Sequence, residues 1–156
     1  MQTNQAGIDL IKSFEGLRLT AYKDIGGVLT VGYGHTGKDV YKGQIISKEK
    51  AEALLKQDLE RFELAVEELL DNAPTTQNQF AAMVSLAYNV GPGNFEKSSV
   101  LRHHKRGNYV SAAASFMLWV NAGKLKKVAG LIRRRNQEQV LYRAEDKNAE
   151  RNLYVS

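Results

Sequence analysis

An α+β fold is predicted, with one small antiparallel sheet near the N-terminus and helices segregated around it along the chain. Three observations carry this reading. Residues 17–46 hold six glycines, at 26, 27, 32, 34, 37 and 43, with β-branched and aromatic residues between them, which is the texture of a short-stranded sheet. From Ser47 to about Leu70, Ala51, Leu54, Leu55, Leu59, Phe62, Val66, Leu69 and Leu70 recur at helical spacing. Beyond Asn72 the periodicity stays helical in shorter segments.

The elements follow in order. Residues 3–15 read as a helix with Thr3 or Asn4 as its cap, Ile8, Ile11 and Phe14 on one side, and Gly16 in the place of a left-handed terminal residue. Within the sheet region, Leu29, Val31 and Tyr33 share one face, and Val28, Thr30 and Gly32 the other. Ser47 caps the long helix, which spans the molecule and stops at Asn72-Ala73-Pro74. Thr76-x-x-Gln79 is a capping box opening the next helix, with Phe80, Met83, Val84, Ala87 and Tyr88 as its buried stripe and Gly91-Pro92-Gly93 as its end. Ser98 or Ser99 opens a short helix to about Arg106, and Gly107-Asn108 breaks it. Residues 109–120 and 131–145 make the last two helices, the latter with Leu131, Ile132, Val140 and Leu141 apolar among many charges. The 156 residues suffice for one sizeable core, with a sheet lobe at about 17–46 and a helical lobe at about 72–156 plus the N-terminal helix.

Composition excludes several function classes. With no cysteine there is neither a disulfide framework nor a thiol nucleophile. The start, MQTNQAGIDL, does not read as a secretory signal, and no apolar run approaches the ~20 residues of a membrane helix. A soluble protein in a reducing compartment is expected. Charge is uneven: residues 1–96 carry a net −4 and residues 97–156 a net +9. Lys124, Lys126, Lys127 and Arg133-Arg134-Arg135 belong to the basic part, which suits an anionic partner such as a bacterial envelope. No nucleic-acid-binding motif accompanies these charges, so nucleic acid is not expected. The stretch 131–147 also has the character of a basic amphipathic helix, although a helix packed on the core by its apolar side is the commoner case. His103 and His104 are adjacent, which suits joint metal binding with His35 poorly; no metal and no cofactor are expected.

Chemistry concentrates in EGLRLTAYKDIGGVLTVGYGH, Glu15 to His35. Cleaving a glycosidic bond needs an acid for the leaving oxygen and a second group for the nucleophile. Glu15 follows Phe14 on the apolar side of its helix, where partial burial favours a carboxyl that keeps its proton, while nearby Arg18 acts the other way. If Ile25-Gly26-Gly27 is a three-residue turn, Asp24 lies opposite Val28 and Tyr22 opposite Thr30. Asp24 and Thr30 are then diagonal neighbours within reach of one water. A two-residue Gly-Gly turn puts them on opposite faces instead.

Glu15-x8-Asp24-x5-Thr30, with Gly32-Tyr33-Gly34-His35 directly after, resembles the catalytic signature of phage-type lysozymes, the endolysins of glycoside hydrolase family 24. The likeness continues through Leu86-Ala-Tyr-Asn-Val-Gly91, Ser98-Ser-Val-Leu-Arg102, Trp119 and Gly130-Leu-Ile-Arg-Arg-Arg135, in collinear order over nearly the whole chain. The resemblance implies a single lysozyme-like catalytic domain over residues 1–156, with a cleft between two lobes joined by the long helix. It implies a muramidase that cuts the β-1,4 bond between N-acetylmuramic acid and N-acetylglucosamine in peptidoglycan. Glu15 is then the acid, and Asp24 and Thr30 place the water, with inversion. Thr36, Tyr88, Asn89 and Ser98 lie along the cleft, and Asp58 pairs with His35. A monomer is expected, held in the host cytoplasm until a separate membrane-permeabilising protein releases it to the wall. A lytic transglycosylase and a non-catalytic wall-binding module remain as alternatives; the former has no use for Asp24 and Thr30.

Overall fold

The computed structural model describes residues 1–122 and 126–145. Helix α1 (Gln5–Glu15) is capped by Asn4, whose side chain accepts from the Gly7 amide at 3.0 Å. Thr3, the other candidate cap, is engaged elsewhere: its amide and hydroxyl both donate to Glu63. Gly16 has φ 74 but an extended ψ of 155, so it turns the chain straight into a strand and does not form the left-handed cap expected.

Strands β1 (Arg18–Lys23), β2 (Leu29–Gly32) and β3 (His35–Thr36) form an antiparallel sheet in that order. Tyr22 pairs with Thr30, and the Asp24 amide donates to the Val28 carbonyl at 3.0 Å. The connection is therefore the three-residue turn Ile25-Gly26-Gly27, with Gly27 at φ 81, where a side chain would be strained. The outer edge of β1 is covered by residues 44–46, through Ala21 N to Gln44 O and Ile46 N to Leu19 O. Leu29 and Val31 point into a small core with Val40 and Leu54.

Helix α2 (Lys48–Leu70) has 23 residues and so runs about 35 Å. Ser47 Oγ accepts from the Lys50 amide at 3.0 Å. Leu54 faces the small sheet core, while Leu55, Leu59, Phe62, Val66 and Leu70 enter the larger helical one. One helix thus belongs to both hydrophobic clusters and ties the sheet to the helices. It ends in two left-handed residues, Asp71 (φ 48) and Asn72 (φ 65), types whose short polar side chains tolerate that conformation. Pro74 comes after the helix has already ended.

Helix α3 (Gln77–Val90) shows both bonds of the capping box, Gln79 N to Thr76 Oγ1 at 3.0 Å and Thr76 N to Gln79 Oε1 at 2.9 Å. Every residue from Gln79 to Ala87 is buried, so α3 is the central helix and its contact surface is wider than one stripe. α1 crosses it closely at Gly7, where a Cβ would lie 2.7 Å from that of Ala81. Gly91-Pro92 closes α3 but also opens α4 (Pro92–Glu96), because proline at the first turn lacks only an amide that had no partner there. α5 (Ser99–Lys105) is capped by Ser98, and α6 (Tyr109–Ser115) follows Asn108.

Two expectations need correction beyond this point. The helix expected over 109–120 stops at Ser115, continues as a 3₁₀ turn over Phe116–Leu118, and gives way to a hairpin of β4 (Asn121–Ala122) and β5 (Lys126–Lys127). Lys124, the side chains of Lys126 and Lys127, and residues 146–156 lie outside what is described. The last helix, α7 (Ala129–Arg143), buries Arg134, Arg135, Glu138 and Tyr142, while Val140 is 70% exposed. The apolar-face packing read for 131–145 holds only in part: Leu141 packs on the helical core beside Tyr142, but the rest of the inward stripe is Arg134, Arg135 and Glu138, whose remaining positive charge is met by Glu15 of α1. Arg134 and Arg135 consequently add nothing to the basic surface they were assigned to.

Candidate active site

Glu15 is the last residue of α1, and the turn at Gly16 leaves its carboxylate between α7, α3 and the loop after β2. Its side chain is 24% exposed. Glu15 Oε1 accepts from Arg134 Nη1 at 2.9 Å. Arg18, the cation expected beside it, stacks instead over the Tyr22 ring at 4.2 Å. Phe14 faces the same Arg134 guanidinium at 5.8 Å.

Behind this pair lies a buried network. Arg134 Nε is 3.3 Å from Glu138 Oε2, and its Nη2 donates to the Ser85 carbonyl at 3.3 Å. The Ser85 hydroxyl makes a short bond to Glu138 Oε2. Arg135 Nε meets Glu138 Oε1 at 2.7 Å, and its Nη2 donates to Asn89 Oδ1 at 2.8 Å. Burial pushes the Glu138 carboxyl up, against the pull of Arg135 and Arg134; burial likewise pushes Arg135 down, with Glu138 opposing.

On the sheet side, Gly34 has φ 89, and a Cβ there would sit 3.5 Å from Glu15 Oε2 and 3.9 Å from Tyr88 Oη. Glycine lets the loop approach the free carboxylate oxygen. Burial, reinforced by the Glu15 charge, pushes the Tyr88 phenol up to about 12, so it is a neutral hydroxyl at any working pH.

Two depressions are lined by residues of this region, with no lining residue in common. One of about 610 Å³ is lined by Gly34, Thr36, Asp58, Arg61 and Tyr88. The other, of about 470 Å³, is lined by Phe14, Glu15, Asn89, Leu131 and Arg134. Asp24 and Thr30 line neither of these two. They meet instead on Val28: its amide donates to Asp24 Oδ1 at 2.8 Å, and Thr30 Oγ1 donates to its carbonyl at 3.0 Å. Thr30 is buried and Asp24 exposed. The β2–β3 register sets Thr36 opposite Thr30, so the two share a face. Ser98 stands apart. Its buried hydroxyl caps α5, accepting from Leu101 N and donating to Phe95 O, beside a separate depression lined by Lys97, Arg102 and Lys105.

His35 has a partner on each ring nitrogen: Nδ1 lies 2.8 Å from Asp58 Oδ2 and Nε2 2.8 Å from Asp39 Oδ2. Carboxylates only accept, so both nitrogens donate and the ring is an imidazolium. Burial opposes that charge, but the bonds to Asp58 and Asp39 outweigh it and His35 is raised above 6.5. The bond from His35 holds Asp39 below the usual carboxylate range. Among the described residues no group of histidines and carboxylates is arranged to hold a metal ion.

Sequence reasoning missed Ser85, Arg134 and Glu138 behind the acid, and Asp39 beside His35. A signal existed for the first set: Arg134, Arg135, Glu138 and Tyr142 recur at helical spacing, and Ser85 interrupts an apolar helix.

Comparison with known proteins gives the site its setting. The family model described as phage lysozyme matches residues 12–138. The endolysin of Bacillus phage B103 is 47% identical over 154 residues, covering 97% of this chain; the chain spans only 58% of that protein's length. The endolysin of Salmonella phage P22 is 42% identical over 146 residues, 91% of this chain and 98% of that one. The solved muramidase domain of SpmX from Asticcacaulis excentricus superimposes with a TM-score of 0.86 at 39% identity, over 92% of this chain and 99% of that one. The chain belongs to the phage lysozyme family.

Proposed function

We propose that this chain hydrolyses peptidoglycan as a muramidase, cutting the β-1,4 bond between N-acetylmuramic acid and N-acetylglucosamine. The observation that carries the reading is the Glu15 carboxyl in the wall of a depression, with Oε1 fixed by Arg134 and Oε2 turned to the Gly34 side. Oε2 gives its proton to the glycosidic oxygen as the bond to the anomeric carbon breaks. A water held by Asp24 and Thr30 attacks that carbon from the opposite side, and its proton passes to Asp24. Inversion follows, because the water and the acid act from opposite faces. The common anchoring of Asp24 and Thr30 on Val28 supports this: Asp24 Oδ2 and the Thr30 lone pairs remain for one water. Thr36 and Tyr88 contact sugar on one side of the bond. Asn89 contacts it on the other, where Arg135 holds its Oδ1 and turns its amide outward as a donor.

The polymer being attacked fits a monomer acting on the bacterial wall, drawn by exposed cations to an anionic envelope and released to it from the host cytoplasm by another lysis protein. The test is mass spectrometry of peptidoglycan digested by the purified protein. Hydrated muramic acid ends are expected; anhydro ends would mean a transglycosylase, and intact glycan a binding module.

A further inference from the structure

The ion pair that orients Glu15 is one edge of a buried cluster in which two arginines face two carboxylates. We infer that Glu138 is a positioning residue for the acid: as a second counter-ion for Arg134, it leaves Glu15 free to take up and release a proton. The inference rests on the reading of Glu15 as the general acid.

Arg134 is divided among three partners. Its Nη1 goes to Glu15, its Nε to Glu138 and its Nη2 to the Ser85 carbonyl. Arg135 is divided in the same way among Glu138, Asn89 and the Trp119 carbonyl. Glu138 is fully buried and stands between the two guanidiniums. Glu138 Oε2 accepts from Arg134 Nε, Arg135 Nη2 and the Ser85 hydroxyl, while Oε1 lies 2.7 Å from Arg135 Nε as an ion pair without a hydrogen bond. Burial favours the neutral carboxyl, and the two guanidiniums that bracket it favour the ionised one; in the proposed arrangement Glu138 is their counter-ion.

Charge decides what this does. With both carboxylates ionised, the cluster is neutral. A general acid must also exist protonated, and the cluster then carries one net positive charge. Without Glu138 it would carry two, in a site where unpaired charge is costly. Arg134 and Arg135 would then act on Glu15 as their only counter-charge and hold it ionised. Among the described residues, Arg133 of α7 lines the same depression as Glu15 and Arg134. Tyr88 of α3 stands beside Glu15, and Asp58 and Arg61 of α2 act on Tyr88 from its far side. Asn89 and Ser85 of α3 are neutral. A purely structural Glu138 would alter stability and leave the ionisation of Glu15 alone.

The experiment uses two variants with opposite expected signs. In Glu138→Gln, the alkaline limb of the pH–kcat/KM profile on peptidoglycan moves to lower pH by about one unit, about a tenfold loss of activity on that limb. In Arg135→Met, Glu138 has Arg134 as its only cation, the hold on Glu15 weakens, and the limb moves to higher pH. The ¹³C carboxyl signal of Glu15 is titrated in the same proteins and moves the same way. That signal reads the coupling even if Glu15→Gln proves active and the acid assignment fails. If Glu138→Gln does not fold, Arg135→Met carries the test alone. An unmoved Glu15 titration in the folded variants, or shifts of the same sign in both, overturns the inference.

Discussion

At the scale of the residue, a carboxyl becomes a proton donor through the groups that orient it, and Glu15 has one oxygen fixed and one free. Arg134 takes Oε1, and Gly34 leaves Oε2 reachable. Tyr88 offers a neutral hydroxyl beside it. Tyr88→Phe should therefore lower kcat/KM on peptidoglycan by a few-fold to about tenfold, the worth of one hydrogen bond, with folding intact. Unchanged kinetics would remove Tyr88 from the substrate path. Asp24 holds the turn through Val28, and its proposed role is to steady the water. Asp24→Asn keeps that turn bond and should retain partial activity, measured as muropeptide release. Glu15, Asp24 and Thr30 could be proposed from sequence because their spacing is local and the turn between them is short. Arg134 could not, because it comes from 119 positions away and replaces the nearer Arg18.

At the scale of the element, caps and stripes decided most of the fold, and both are local. Asn4, Ser47, Thr76 and Ser98 each accept from an amide of the helix they open. Thr76→Ala should cost about 1 kcal/mol in urea unfolding. Gly7 tests the packing of α1 on α3. Gly7→Ala drives a methyl into Ala81 and should cost about 1–3 kcal/mol by overpacking, despite alanine's better helix propensity. A stabilised Gly7→Ala would contradict the close crossing. α7 shows where amphipathic reading stops: counting apolar residues cannot find a buried face whose charges are balanced only with Glu15 of another helix. The β4–β5 hairpin was missed for a related reason. Its strands are two residues each, too short to show a period.

At the scale of the whole molecule, charge acts through stability, and recruitment to an anionic wall is the proposed second effect. His35 is raised, so its pairing stabilises fully below its unfolded value of 6.5 and fades as pH rises through the higher folded value. Asp39 is lowered, so its share is present above 3.8 and lost as pH falls through the folded value. His35→Asn should thus destabilise most near pH 5.5 and clearly less near pH 9, by thermal unfolding; an equal loss at both would deny the imidazolium. His104 acts the other way. Burial lowers it to about 4, so the unfolded chain binds the extra proton and stability drops as pH falls from 6.5 toward 4. On the surface, Lys97, Arg102, Lys105, Arg106 and Arg133 remain outside the core. Lysis of whole wall should fall as salt passes ~0.15 M, and cleavage of a short neutral oligomer should fall less. Identical salt curves would mean the charge does not recruit the protein.

These scales meet in one claim, that Glu15 is the proton donor of a wall hydrolase. The most direct test compares muropeptide release from purified peptidoglycan by the unaltered protein and by Glu15→Gln, with circular dichroism showing both folded. The expected result is a fall of ~10²–10⁴-fold or more, because the amide keeps the shape and lacks the acidic proton. A folded Glu15→Gln protein with substantial activity would contradict the claim.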